Sequence, residues 1–261
     1  MLTPTSADST CSNGDGGERA IIFQGAQHSA DTTIIADIPP PLRSGETLDM
    51  RKQTDSVLDR HWRNSTAYYS RAATDGKELT YGELTALGVR QLVHSMGLDR
   101  SADTPTVFVD IGSGAGKMVV QLYLENTVDQ AIGIEKCPTR HRFAVEAWRR
   151  VREQPSNIDR VTNGAATSKR EVEVELLNQD ARFADYSAVT HVFMASLCFP
   201  EDLTNSIITV LLRDASSLRM IAALSDLPPM EESLWKKSSH ELQTSWGSAR
   251  LRIYRQPDVT L

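Results

Sequence analysis

Val107-Phe-Val-Asp-Ile-Gly-Ser-Gly-Ala-Gly-Lys117 runs an apolar segment straight into three alternating glycines and then into a helix-forming stretch. An apolar strand ending in Asp110 and turning through Gly112, Ser113, Gly114 and Gly116 has the form of a nucleotide-binding turn. Glycine carries no Cβ and tolerates positive φ, so backbone N–H groups can come close to a ligand. Dinucleotide folds favour G-x-G-x-x-G, where the turn and the following helix N-terminus cradle a pyrophosphate. Here the order is D-x-G-x-G-x-G, with a carboxylate where a phosphate would be repelled. Charge therefore favours a cationic adenosine ligand, and S-adenosylmethionine carries both an amino group and a sulfonium.

Outward from the turn, the helix Met118–Leu124 leads to a short strand, Gln130-Ala-Ile-Gly-Ile-Glu135. An acid at the tip of a second strand suits the two ribose hydroxyls of an adenosine cofactor, which assigns that role to Glu135. A third strand, Val172–Leu177, delivers Asn178-Gln-Asp180 to the same edge, with Asp180 placed to accept the adenine amine and Phe183 to stack on the ring. After a fourth strand, His191-Val-Phe-Met-Ala-Ser-Leu-Cys-Phe-Pro200 brings Ala195, Ser196 and Phe199 to the reaction edge, with Phe199 as a wall for an accepting amine. Upstream, Glu83 of Tyr81-Gly-Glu83 is a candidate acceptor for the amino group of the methionine part.

Strands are expected at about 106–110, 130–135, 172–177, 190–196 and 218–224, alternating with helical or irregular connections. That rhythm implies a doubly wound, mostly parallel sheet. Leu242–Trp246, Gly247-Ser-Ala and Arg250–Arg255 read as a closing antiparallel hairpin. Before the sheet, 48–73 reads as one or two helices burying Val57, Leu58, Trp62 and Tyr69, and a further helix through Leu87, Val89, Leu92, Val93 and Met96 ends at Gly97. The organisation expected is a flexible tail and extended proline segment over 1–45, a helical lobe with a cofactor loop over 46–104, and an α/β catalytic core over 105–261.

Net charge is −6, with a sequence pI near 5.6. No global basic field of the kind that drives nonspecific nucleic-acid binding is present. The three cysteines, Cys11, Cys137 and Cys198, are far apart and form no C-x-x-C pair, which argues against a zinc site or a disulfide framework. Neither a signal peptide nor an apolar run long enough to span a membrane is found, so a soluble intracellular protein without a metal is expected.

Tyr81-Gly-Glu83, Val109-Asp-Ile-Gly-Ser-Gly-Ala-Gly116, Gly133-Ile-Glu-Lys136, Asp180, Val192–Phe199 and Ser245-Trp246, in this order, resemble the disruptor-of-telomeric-silencing family. These are histone H3 lysine methyltransferases that lack a SET domain; the likeness covers roughly 48–256 and is greatest to the short trypanosomatid forms. The resemblance implies a class I S-adenosylmethionine-dependent methyltransferase with a seven-stranded sheet and an N-terminal helical extension. It also implies a lysine in the globular core of histone H3 as acceptor, nucleosomes as substrate and a nuclear location. Around the cofactor it groups Tyr81, Gly82, Glu83, Asp110, Gly112, Ser113, Gly114, Gly116, Lys117, Glu135, Lys136, Asp180 and Ala195. Ser196, Phe199, Trp246 and Tyr254 are assigned to the reacting amine, the aromatics sheathing the lysine stem.

The chain departs from the family where many relatives carry two asparagines and it has Ala195-Ser196. The polybasic extension of relatives is missing too; Arg140, Arg142, Arg149 and Arg150, with Arg152 and Lys169-Arg170, are the candidates for DNA or acidic-patch contacts in its place. Two alternatives stay open on sequence: a class I methyltransferase for another protein or a small molecule, and a catalytically weak cofactor-binding module.

Overall fold

The structure, a computed structural model, describes residues 37–63, 82–98, 100, 104–154, 172–231 and 233–257. Tyr69, Tyr81, Lys169-Arg170 and most of the expected tail lie outside the described residues.

Helix α1 (Leu48–Trp62) starts where the Thr47 hydroxyl accepts from Met50 N and carries Asp49 in its first turn and Arg60 and His61 in its last, charges that suit the helix dipole. Helix α2 (Ala86–Met96) is capped by Thr85 and ends at Gly97 in the left-handed conformation. Strand β1 (Val107–Ile111) passes through the glycine turn into α3 (Lys117–Leu124). Then come β2 (Gln130–Ile134), α4 (Pro138–Arg152), β3 (Glu173–Leu177), β4 (His191–Met194), α5 (Glu201–Asp214), β5 (Met220–Ala223), β6 (Lys236–Thr244) and β7 (Gly247–Arg255).

The sheet order is β3-β2-β1-β4-β5-β7-β6, with the first five strands parallel and β7 antiparallel to both β5 and β6. This is the expected doubly wound sheet of seven strands closed by an antiparallel hairpin. Side chains alternate across it into two cores. Phe108, Phe193, Ala222 and Ile253 face a cluster that includes Val57, Leu58 and Trp62 of α1, Leu92 of α2 and Leu122 of α3. Val109, Val192, Ile221 and Tyr254 face the other, which includes Ile207 and Leu211 of α5. The N-terminal helices thus share a core with the sheet.

An ion network fastens the helices to each other. The Arg90 guanidinium of α2 is 2.7 Å from Asp55 of α1 and 2.7 Å from Glu125, just past α3. Arg51 of α1 bonds Glu46 and the carbonyls of Pro40 and Pro41, pinning the proline segment to the helix.

Because β1 has β2 on one side and β4 on the other, successive connections diverge beyond its carboxyl end and leave a crevice there. The hairpin differs from the sequence expectation in its turn. The chain reverses at Ser245-Trp246, and Gly247 already begins β7. Leu84 bridges Thr244, Thr85 N donates to the Gln243 carbonyl, and Ser245 N donates to the Glu83 carbonyl. The segment 82–85 is laid along the hairpin tip, and both hang over the crevice.

Candidate active site

The glycine turn adopts the backbone its sequence demands: φ is +79° at Gly112, +55° at Gly114 and +71° at Gly116, values that L side chains rarely hold. The turn is tied to the end of β2, since Gly112 N and Ser113 N both donate to the Ile134 carbonyl, at 2.8 and 3.0 Å. Such close approach needs a glycine on β2 as well; a Cβ at Gly133 would meet Ser113 Oγ at 2.8 Å.

Glu135, buried at the tip of β2, accepts from Gly114 N through one carboxylate oxygen (2.8 Å) and from Cys137 N through the other (2.7 Å). It is therefore fixed while still lining the cleft, and each oxygen keeps a lone pair for a ligand. Asn178 steadies the same loop by donating to the carbonyls of Glu135 and Lys136.

Around this frame the crevice has two connected parts. An inner recess is lined by Glu83, Asp110, Ser113, Lys117, Met118 and Phe193. An outer cleft is bounded by Glu135, Lys136 and Asp180 on one side and by Phe199, Leu203 and Ile207 on the other. Gly82, Gly112, Ala195 and Trp246 line both parts and mark the passage between them.

Acids dominate the recess. Asp110 is buried, and the loss of water around it, followed by the nearby Glu135 and Glu83 carboxylates, raises its pKa to about 8. Lys117 lies 3.8 Å from Glu83. Asp180 behaves oppositely. Hydrogen bonds from the Arg182 side chain and backbone, with Lys136 nearby at 3.6 Å, hold it down at about 2.

The aromatic walls rely on missing side chains. A Cβ on Gly112 would come within 3.1 Å of Phe199 Cζ, and one on Gly82 would meet Trp246 Cζ3 at 2.2 Å. Phe199 thus rests on the glycine turn, and the Trp246 ring lies against the 82–85 segment.

Of the expected cofactor residues, all but Tyr81 lie among the described residues, and the cleft and recess bring together Gly82, Glu83, Asp110, Gly112, Ser113, Lys117, Glu135, Lys136, Asp180 and Ala195. Gly114 and Gly116 form the supporting backbone behind them.

Other assignments are corrected. Tyr254 is a core residue: alternation on β7 turns it to the α5 side, where its hydroxyl accepts from Leu227 N at 3.0 Å. Ser196 faces away from the cleft, its hydroxyl 2.5 Å from that of Ser225, and so ties the loop after β4 to the loop after β5. Phe183 is 80% exposed beneath the Arg182 guanidinium rather than in the cleft. Arg140 is buried and lines the cleft near Glu135, so it is not a surface contact for DNA.

Sequence reasoning gave no role to Asn178, Cys198, Leu203 or Ile207. Leu203 and Ile207 carried a usable signal, being one helical turn apart on the helix that directly follows the reaction-edge strand.

The sheet order, the antiparallel seventh strand and an acid-lined crevice at the strand switch point define a class I methyltransferase. The sequence profile described as histone methylation protein DOT1 matches residues 68–251, and the chain belongs to that family. It is accordingly an S-adenosylmethionine-dependent methyltransferase. No curated protein matches the chain by sequence.

Among solved structures, magnesium protoporphyrin IX methyltransferase from Synechocystis PCC 6803 with bound S-adenosylmethionine is similar at 14% identity, covering 80% of this chain and 98% of that one, with a TM-score of 0.45. An RNA methyltransferase from Salinibacter ruber in complex with S-adenosylhomocysteine is similar at 16% identity, over 66% of this chain and 92% of that one, with a TM-score of 0.41. Among the described residues no helix is long and apolar enough to cross a membrane.

Proposed function

We propose that the protein is a histone-lysine N-methyltransferase that methylates a lysine in the globular core of histone H3 within nucleosomes, which makes the nucleus its place of action. The observation that carries this is the outer cleft beside the passage, which Trp246 at the hairpin tip and Phe199 against Gly112 of the glycine turn line together with Ala195. Two aromatic walls at the entrance to an acidic recess suit a long aliphatic stem ending in an amine. Membership of a histone methylation family points to the same acceptor.

The cofactor supplies a methyl group on a sulfonium. Glu135 would hold the ribose hydroxyls, Asp180 and Lys136 would border the adenine, and Glu83 and Asp110 would receive the amino group of the methionine part. The acceptor amine must attack as the neutral base, and an apolar collar of Phe199 and Trp246 favours that form by stripping water from the ammonium. Ala195 leaves the passage free of side-chain amides, so position comes from the walls rather than from a hydrogen bond. Arg142, Arg149 and Arg150 on α4 are exposed and available to nucleosomal DNA or an acidic protein surface. Arg149 and Arg150 are already paired with Glu153 and Glu146, which tempers their charge.

The test is transfer of labelled methyl from S-adenosylmethionine to recombinant nucleosomes, free H3, free H4 or no acceptor. Label should appear on nucleosomal H3 and vanish when the core lysines of H3 are replaced by arginine. Label on free H4 with none on nucleosomal H3 would refute the proposal.

A further inference from the structure

We propose that Trp62, the last residue of α1, is a positioning residue that sets cofactor affinity by holding the glycine turn from behind. Its indole N–H donates to the carbonyl of Ala115 at 2.9 Å, a buried bond that joins the N-terminal helix to the middle of the turn. Ala115 stands between Gly114 and Gly116, both left-handed, and is itself fully buried.

The first carbonyl taken up by α3 is that of Gly116, which accepts from Val120 N; the Ala115 carbonyl lies one residue too early and takes the indole instead. A buried carbonyl left without a donor costs free energy, so docking of Trp62 stabilises the turn in this shape. On its other side Gly114 N is committed to Glu135. Two peptide units of the turn are therefore each held by a partner outside it, Gly114 N by Glu135 and the Ala115 carbonyl by Trp62 of α1.

Placement of α1 is itself fixed independently of the turn. Asp55 is bonded to Arg90 of α2, and Val57, Leu58 and Trp62 are buried in the core shared with α3. The Trp62 ring arrives at Ala115 as part of a rigid helix, which is why it can orient the backbone rather than follow it.

This inference rests on the cofactor role of the glycine turn, and wild-type protein that failed to bind S-adenosylmethionine would sink that role first. The experiment compares three variants by calorimetric titration with S-adenosylmethionine and by thermal melting. Trp62→Phe keeps an aromatic ring but loses the donor. Replacement of Trp62 by 3-benzothienylalanine keeps the indole shape and removes only the N–H. Leu218→Ala damages the other core, across the sheet from α1.

The two Trp62 variants should raise Kd about tenfold, the equivalent of one hydrogen bond to a buried carbonyl. Leu218→Ala should melt lower than wild type and bind the cofactor with unchanged affinity. The proposal is overturned if the benzothienyl protein binds as tightly as wild type, or if Leu218→Ala weakens binding as much as the Trp62 variants do. Should Trp62→Phe fail to fold, the benzothienyl protein decides the matter alone.

Discussion

Asp110→Asn isolates the charge logic of the recess. In the free protein Asp110 is buried beside Glu135 and Glu83, and its pKa stands at about 8 against an ordinary 3.8. At about 1.4 kcal/mol per pH unit, ionising it without a cation present costs on the order of 5 kcal/mol. The native state binds a proton that the unfolded chain has released throughout the window between those two values. Stability attributable to this group is therefore present below pH 3.8 and is lost as pH rises towards about 8.

Asparagine is nearly isosteric and cannot ionise. Asp110→Asn should melt close to wild type near pH 5 and on the order of 10 °C above it near pH 9. A cationic ligand reverses the preference, because a nearby positive charge favours the carboxylate. Binding of S-adenosylmethionine at pH 7 should release close to one proton from the wild type and none from Asp110→Asn, read from calorimetry in buffers of different ionisation enthalpy. Parallel melting profiles of the two proteins from pH 5 to 9, together with proton-neutral binding by the wild type, would refute the reasoning.

Gly114→Arg should abolish binding of S-adenosylmethionine in a calorimetric titration, because φ at Gly114 is +55° and a long cation cannot be housed where the backbone meets Glu135. Gly82→Ala, whose new Cβ would fall 2.2 Å from the Trp246 ring, should displace that ring and cut methyl transfer to nucleosomes at least about tenfold, while the cofactor Kd changes far less. Glu135→Gln should weaken cofactor binding by about ten- to a hundredfold, as severely as Glu135→Ala, because one of the two backbone donors it now receives would face an amide NH₂. Tyr254→Phe should cost about 1 kcal/mol of stability through loss of the bond to Leu227 N, with methyl transfer per folded molecule unchanged, as befits a core residue.

How much of this was readable in the chain depends on the range of the contacts involved. The run from Phe108 to Gly116 announces strand, turn and helix through local chemistry alone, and Glu135 follows from the length of one strand-helix-strand unit. Both emerge where expected.

Tyr254 and Ser196 failed for two different reasons. Central strands of a doubly wound sheet are buried on both faces, so a period of two tells which residues share a face but not which face holds a site. Tyr254 sits opposite Ile253 and belongs to the α5-side core, while Ser196 is claimed by Ser225 from the next crossover, a contact no local pattern encodes.

The hairpin turn was misplaced by the pull of Gly247. What sets the reversal at Ser245-Trp246 is pairing of the hairpin tip with 82–85, a partner distant in sequence. That same displacement carries Trp246 out of the strand and over the crevice.

Charge preference and turn geometry are one device in this site. Glu135 spends one lone pair of each carboxylate oxygen on the backbone that shapes the turn, and its charge, with that of Glu83, adds to burial in keeping Asp110 protonated in the free protein. A phosphate entering the recess would meet these acids with nothing to offset them except Lys117, which is already beside Glu83. An ammonium or sulfonium would relieve the crowding and let Asp110 ionise. The walls proposed for the acceptor are of different material, the hairpin tip and the loop after β4, with Trp246 against Gly82 of the 82–85 segment and Phe199 against Gly112 of the turn. On the proposed function, substitutions at those two glycines should act on the junction between donor and acceptor, whereas substitutions at Glu135 or Asp110 should act on the donor alone.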